Sequence, residues 1–374
     1  MAKTRIMLIT VRADIGGGPK HIYDLACVLT DEFIIDIACP KQEPYWEKFS
    51  SIINGTMIEI PFRKFSIFKA NDVLSHVKEN SIDVIHSHGK GAGVYGRYLS
   101  FLSGVPLVHT PHGLHIGNYG PITKKLYLSY EKITSTIDNC TIYVSDAEKK
   151  EAVKLGIANK KRRVVVKNGT NSIPTAYAAK GREKQRKKLG IEANNLVVVS
   201  LSRFDYPKNM MDMAKIALSV KQAEHIIFYL VGDGPDLIKT KEWCKKNNLN
   251  NVFFPGFSNT PQEYLLASDI YLSTSRWEGL PLSIIESMAI GLPVLATDVV
   301  GNNEAVEHNY NGYLFPLGEN EIAAKLLLNL ADSPTLRNEL GHNGRLRQRN
   351  CFSIEKMASD TAVIYNSLDC SESK

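Results

Sequence analysis

Two glutamates eight positions apart, Glu278 and Glu286, close off the segment Trp277-Glu278-Gly279-Leu280-Pro281-Leu282-Ser283-Ile284-Ile285-Glu286, which follows a short apolar run. Gly279 lets the backbone approach a ligand closely, and Pro281 suits the first position of a helix, so the segment reads as a loop entering a helix near Pro281. The amides of Leu280, Leu282 and their neighbours would then offer N–H groups and the positive end of the helix dipole to a diphosphate. Glu286, more than a turn into that helix, is placed for ribose hydroxyls, and Glu278, ahead of it, for sugar hydroxyls. An acid near a helix start is favourable on electrostatic grounds alone. That accounts for one carboxylate, but not for Glu-Gly-x-Pro with a second acid behind it. A carboxylate pair also serves glycosidases, although one in a loop and one within a helix bracket a scissile bond poorly.

A second constellation is Ser200-Leu201-Ser202-Arg203-Phe204-Asp205-Tyr206-Pro207-Lys208-Asn209, directly after another apolar run. Arginine offers a planar fork to phosphate oxygens and lysine a mobile point charge, so Arg203 and Lys208 suit a leaving diphosphate whose charge grows as its bond breaks. Two exposed bases on an ordinary loop would look the same in isolation. Gly232, in Gly232-Asp233-Gly234-Pro235, and Gly256 also follow apolar runs and are candidate contacts for the same ligand; any sharp strand-to-helix turn uses such residues.

In the first half, Asp14-Ile15-Gly16-Gly17-Gly18-Pro19-Lys20-His21 follows the first apolar run. It fails as a dinucleotide fingerprint, because His21 stands where the third glycine belongs and the second run ends in Cys39-Pro40 without an acid. Close approach of a diphosphate or an acceptor to Gly16, Gly17 and Gly18 fits better. Histidines follow two further runs, His86-Ser87-His88 and His109-Thr110-Pro111-His112, with His115 nearby. Separate strand ends without a paired acid favour core or supporting histidines over a metal site. His112, next to Gly113, is the choice for a substrate contact. No D-x-D triplet occurs, so no carboxylate seat for a metal on a sugar nucleotide is expected; no metal or cofactor is implied, and charge neutralisation falls to Arg203, Lys208 and the helix start.

These loops need a scaffold, and the chain supplies one. Short apolar runs alternate with amphipathic stretches, the pattern of β-α-β units with a parallel sheet covered on both faces. Strands are expected at 6–11, 33–38, 57–60, 83–86, 106–110, 140–144 and 163–166, then at 196–201, 226–231, 252–254, 270–273 and 293–296. Between the two sets, residues 168–180 concentrate Gly, Pro, Ser, Thr and Asn and read as a linker. The expected organisation is an N-terminal domain over 1–170 and a C-terminal, donor-binding domain over 171–351. The last stretch, about 319–368, carries only helical periodicity, and a C-terminal helix at about 352–370 is expected to pack back on the first domain. In such doubly wound sheets ligands sit beyond the carboxyl ends of the strands.

The 374 residues, 44% hydrophobic and 22% charged, fit two soluble globular domains. The apolar run near the N-terminus is too short for a signal peptide or a spanning helix. The six cysteines lie far apart with no C-x-x-C, which implies neither a zinc cluster nor a disulfide framework and suits a reducing cytoplasm. The net charge of +6 is partly clustered in Lys160-Lys161-Arg162-Arg163 and in Lys180 to Lys188. A solvated helix face explains such clusters. Nucleic acid is disfavoured, because no reading module accompanies the charge, while an anionic membrane face stays open at about 1 kcal/mol per basic residue.

On these residues the chain resembles family four of the retaining glycosyltransferases, the GT-B group, two Rossmann-like domains facing a cleft, that builds bacterial surface glycans. The resemblance runs from Gly16-Gly17-Gly18 through Asn168-Gly169 to Glu304. It implies that Arg203 and Lys208 bind the donor diphosphate, Glu286 the ribose, Glu278 with its following amides the transferred sugar, and His112 the same sugar from the first domain. It also implies metal-independent transfer with retention, from a nucleotide sugar, UDP-linked by expectation, to a saccharide acceptor carried on a polyprenyl diphosphate at the cytoplasmic membrane face, as in O-antigen or capsule assembly. Asn209, where many relatives have glycine, and Lys167, where proline is frequent, depart from the pattern without touching a charge-bearing position. A GT-B sugar-nucleotide epimerase and a catalytically silent nucleotide-sugar-binding protein are the competing readings.

Overall fold

The structure, a computed structural model, describes residues 3–114, 120–157 and 162–368. His115, Lys160, Lys161 and Cys370 lie outside the described residues, as does the end of the expected 352–370 segment. The chain forms two units, Met1–Gly169 with Ile354–Lys374, and Thr170–Ser353.

The first unit alternates strand and helix throughout. Its elements run β1 (Arg5–Thr10), α1 (Gly17–Leu29), β2 (Ile34–Cys39), α2 (Tyr45–Ile52), β3 (Met57–Glu59), α3 (Ile67–Glu79) and β4 (Val84–His88). They continue with α4 (Lys90–Ser103), β5 (Leu107–Thr110), α5 (Pro121–Thr134), β6 (Cys140–Tyr143), α6 (Asp146–Lys154) and β7 (Arg163–Val165). The sheet is parallel with order β3-β2-β1-β4-β5-β6-β7. Buried on both faces, its strands must be apolar almost continuously; β1 is buried from Ile6 to Thr10.

The second unit contains α7 (Thr175–Lys188), β8 (Leu196–Leu201), α8 (Met210–Ser219), β9 (Ile226–Val231), α9 (Leu237–Lys246), β10 (Val252–Gly256) and α10 (Gln262–Ala267). After these come β11 (Ile270–Ser273), α11 (Leu282–Ile290), β12 (Val294–Thr297), α12 (Asn302–Ala305), β13 (Gly312–Phe315), α13 (Asn320–Asp332) and α14 (Pro334–Cys351). This sheet is also parallel, with order β10-β9-β8-β11-β12-β13. The last helix, α15 (Ile354–Asn366), returns to the first unit. It buries Ile354, Met357, Ala358, Ala362, Ile364 and Tyr365 in the core formed by α1 and the strands.

The architecture is the expected pair of doubly wound sheets, with four local corrections. The linker read over 168–180 ends early, because α7 begins at Thr175. Its Ala, Lys, Arg, Glu and Gln are strong helix formers, but only Ala178 and Gln185 are buried, so no apolar stripe announces the helix. Strand β13 went unread, being four residues long at the sheet edge. A Cβ on Gly312 would sit 2.1 Å from the Val294 carbonyl oxygen, so glycine there marks close strand contact and not a turn. Helix α1 starts at Gly17, which puts Gly17 and Gly18 in its first turn, and Pro281 caps α11 instead of opening it.

The basic run of α7 is largely engaged in holding its own unit together. Arg182 pairs with Asp269 at 2.6 Å, Arg186 reaches the Asn195 carbonyl at 2.7 Å, and Lys188 meets Glu263 at 2.7 Å. For these three residues the helix face is therefore not merely solvated, as expected of the cluster, but bonded to its own unit.

Candidate functional site

Both sheets reverse strand order once, between β1 and β4 in the first and between β8 and β11 in the second. Loops leaving the carboxyl ends of two such strands diverge to opposite faces and open a crevice, the natural ligand seat of a doubly wound sheet. In the second unit the loop after β8 carries Arg203 and Lys208, and the loop after β11 carries Glu278. The two constellations read from sequence thus flank one switch point.

Contacts between these loops fix their side chains. Lys208 Nζ donates to Glu278 Oε1 at 2.5 Å, and the same oxygen accepts from Ser275 Oγ at 2.7 Å. Thr274 Oγ1 donates to the Asn209 carbonyl at 3.0 Å, and the Arg276 amide to the Pro207 carbonyl at 2.7 Å. Arg276 also reaches Asn209 Oδ1 at 2.9 Å and lies 4.6 Å over the Tyr206 ring. Asn209 has φ 51, the left-handed region that asparagine tolerates better than most residues and glycine best. Asparagine is therefore compatible with this backbone position.

A third loop closes from the side of β12. Its Val300 carbonyl accepts from the Glu278 amide at 2.9 Å, and a Cβ on Gly301 would lie 2.6 Å from Glu278 Cβ. The loop after β9 supports Arg203 similarly. A Cβ on Gly232 would fall 1.9 Å from the Ser202 oxygen, while the Gly232 amide donates to the Gly256 carbonyl at 2.9 Å. The bare face and the amide of Gly232 are thus both taken up by the protein, a structural reason for this glycine beside the ligand contact expected of it.

Arg203 is exposed, its Nε 3.5 Å from Asp205 Oδ2, so it is only loosely paired. Helix α11 begins after Pro281 with no side-chain cap. Its first intrahelical bond runs from the Ile285 amide to the Pro281 carbonyl, so the amides of Leu282, Ser283 and Ile284 precede the helical ladder and point toward the helix start. Glu286 lies half-buried along the same helix. Lys208, an ammonium already oriented by a carboxylate, the exposed guanidinium of Arg203 and the uncapped helix start are the cationic and N–H groups this unit offers around its switch point, with Glu278 and Glu286 on the adjoining loop and helix.

In the first unit the structure brings His112 together with His88 and His21, which sequence reading left apart. His88 Nδ1 lies 3.1 Å from His112 Nε2, with the rings stacked, and the His21 and His112 rings are 4.6 Å apart. Two of the strand-end histidines, His86 and His109, are buried and bonded within the first unit. His86 bonds Tyr365 and Thr110 at 2.5 and 2.8 Å, and His109 bonds Ser87 at 2.9 Å. Gly16 caps α1 without a side-chain bond, and a Cβ on Gly18 would meet no atom within 4 Å, which leaves the first turn of α1 open to close approach.

His112 itself is strained. Its φ is 57 and that of Gly113 is 100. Buried Glu148, on α6, accepts from the Gly113 amide at 2.6 Å and from the Val144 amide at 2.9 Å, tying the loop after β5 to the end of β6. Nothing in the local sequence marked Glu148, because its partners lie on other elements. Glu148→Gln replaces one acceptor oxygen by a donor facing an N–H. It should therefore cost about 1–3 kcal/mol and shift the His112 ring resonances in NMR spectra, and an unmoved His112 would show that Glu148 does not position it.

Known proteins align with this layout. Residues 181–347 match the family model for glycosyl transferases group 1, and residues 15–172 that for glycosyltransferase family 4. The chain is 26% identical to the Escherichia coli UDP-Gal:alpha-D-GlcNAc-diphosphoundecaprenol alpha-1,3-galactosyltransferase, over 90% of this chain and 89% of that protein. It is 25% identical to the Escherichia coli O-antigen biosynthesis glycosyltransferase WbnH, over 94% and 96%. The Anabaena protein HepE, crystallised with UDP and glucose, superposes with a TM-score of 0.84 at 21% identity, over 97% of this chain and 100% of its own.

Proposed function

Since the chain belongs to the family-four glycosyltransferases, with the GT-B fold, we propose that it moves a hexose or N-acetylhexosamine from a UDP-sugar to a saccharide on a polyprenyl diphosphate, in surface-polysaccharide assembly. The observation that carries this reading is the Lys208–Glu278 pair beside the uncapped start of α11, at the switch point of the second sheet. The nucleotide and the lipid-linked acceptor are suggested by the names of the relatives, and the second unit is taken as the donor domain.

In this reading Arg203 and Lys208 bind the donor diphosphate with the first amides of α11, and Glu286 holds the ribose. Glu278 orients Lys208 and, with Gly279 and Leu280, faces the transferred sugar, which His112 also contacts. As the bond from the anomeric carbon to the phosphate oxygen breaks, the cations stabilise the charge growing on the diphosphate. The departing oxygen takes the acceptor hydroxyl's proton, and the acceptor oxygen bonds the anomeric carbon from the same face, so configuration is retained without a separate base or a metal. Purified protein with EDTA, offered UDP-, GDP- and ADP-sugars, should release nucleoside diphosphate only when a polyprenyl-diphosphate saccharide is added. Failure with every donor would overturn the reading, and donor conversion without acceptor would favour an epimerase.

Such an acceptor is met at a membrane face. No described helix is long and apolar enough to cross a membrane. Helix α5, however, exposes Ile122, Leu126 and Ile133 at 77%, 67% and 71%, on one side of the helix, with Lys125 and Lys132 exposed beside them. Apolar residues flanked by lysine suit the headgroup boundary of an anionic bilayer. Replacing Lys125 and Lys132 by Glu should lower partition onto vesicles containing anionic lipid by roughly tenfold or more, measured by cosedimentation. Equal partition would remove α5 from this role.

A further inference from the structure

Three imidazoles converge in the first unit from distant parts of the chain. His21 lies in the second turn of α1, His88 ends β4, and His112 follows β5; one ring nitrogen of each lies within 4.8 Å of the chosen nitrogens of the other two. His21 Nδ1 and His88 Nε2 are buried and have no hydrogen-bond partner. Buried polar atoms are nearly always satisfied, so two orphans in one cluster point to something that binds them. The cluster contains no carboxylate.

An imidazole binds a metal through the lone pair of its neutral form.

We propose that His21, His88 and His112 form a binding site for a borderline-soft divalent cation, zinc above all, with its fourth position open. Neutral imidazoles select zinc and its neighbours, whereas magnesium and calcium require oxygen ligands. Tetrahedral zinc with bonds of about 2.0–2.1 Å holds its nitrogens roughly 3.3–3.4 Å apart. Closing the cluster to that spacing takes ring movements of about an ångström. Zinc held there withdraws His112 from the donor sugar and so inhibits transfer. The inhibition rests on the proposed role of His112; the metal site does not.

The test uses the full chain without donor, titrated with zinc against a chromophoric chelator, and with cobalt observed in the visible. One equivalent should bind at micromolar concentration or below, cobalt should give the bands of tetrahedral coordination, and the melting temperature should rise. His21→Ala and His88→Ala should each weaken binding by at least about tenfold, as loss of a ligand must if loss of an outer partner alone does so. Exposed His225→Ala and Cys27→Ser, which lie outside the cluster, should leave binding unchanged. If the buried variants do not fold, His112→Asn carries the same expectation. Equal affinity in all variants, or no binding at about 100 µM zinc, overturns the site while donor turnover leaves the proposed function intact. Binding that spares turnover leaves the metal site standing and removes His112 from the donor contact.

Discussion

Lys208→Ala should lower sugar transfer by about 10²–10³-fold, as removal of one preorganised charge-stabilising donor does elsewhere, equivalent to about 2.7–4 kcal/mol in the transition state. The same change leaves the Glu278 carboxylate with Ser275 as its remaining side-chain partner here, at a site where the pair is 26% and 11% exposed. A fully buried carboxylate abandoned in this way costs about 3–5 kcal/mol. Solvent screening at this partly open site reduces the loss of folding stability to roughly 1–2 kcal/mol. The two effects separate in the double variant Lys208→Ala, Glu278→Gln, which removes the stranded charge and should recover most of the melting temperature without recovering turnover. Nucleoside diphosphate release with acceptor present, set beside a thermal melt, reads both. Unchanged turnover in Lys208→Ala would remove the diphosphate seat from this loop.

The second large effect comes from a residue that need touch no substrate. Gly232→Ala would place a methyl group 1.9 Å from the Ser202 carbonyl oxygen, at a backbone φ of 144 that L side chains rarely adopt. The methyl carbon is fixed by its own backbone and the oxygen belongs to another, so no rotamer change relieves the conflict. Backbone strain of about 1–3 kcal/mol, with a loop displacement of similar cost, should lower stability by roughly 2–4 kcal/mol. In a unit of this size that is a fall of about 5–15 °C in melting temperature. Because the displaced segment leads into Arg203 and Lys208, affinity for the nucleotide should fall with it. Differential scanning calorimetry and nucleotide titration check the pair of outcomes. A variant that melts normally but binds weakly would instead give Gly232 a direct ligand contact.

Much of this protein is legible in its sequence because the signals are local. A parallel strand covered on both faces must be apolar almost continuously, so Leu196 to Leu201 and Ile226 to Val231 announce themselves. In doubly wound sheets ligand-binding loops follow such strands, so Arg203, Lys208 and Glu278 stand out in the sequence as candidates. Helix α7 and strand β13 escaped for the opposite reason. One buries too little to show a stripe, and the other is too short to show a period.

What the sequence by itself determined is the alternation of elements, the residue types at the strand ends and the chemistry those types allow. What only the tertiary structure decided is who meets whom. Strand order placed Lys208 and Glu278 on the two sides of one reversal, 70 residues apart in the chain yet joined by a 2.5 Å bond. The same kind of reversal between β1 and β4 gathered His21, His88 and His112 and let Glu148 hold the strained turn at His112. Local patterning repeats every two residues in a strand or every 3.6 in a helix and carries no information about which strands become neighbours. That choice is made by long-range packing, and the site is built from its result.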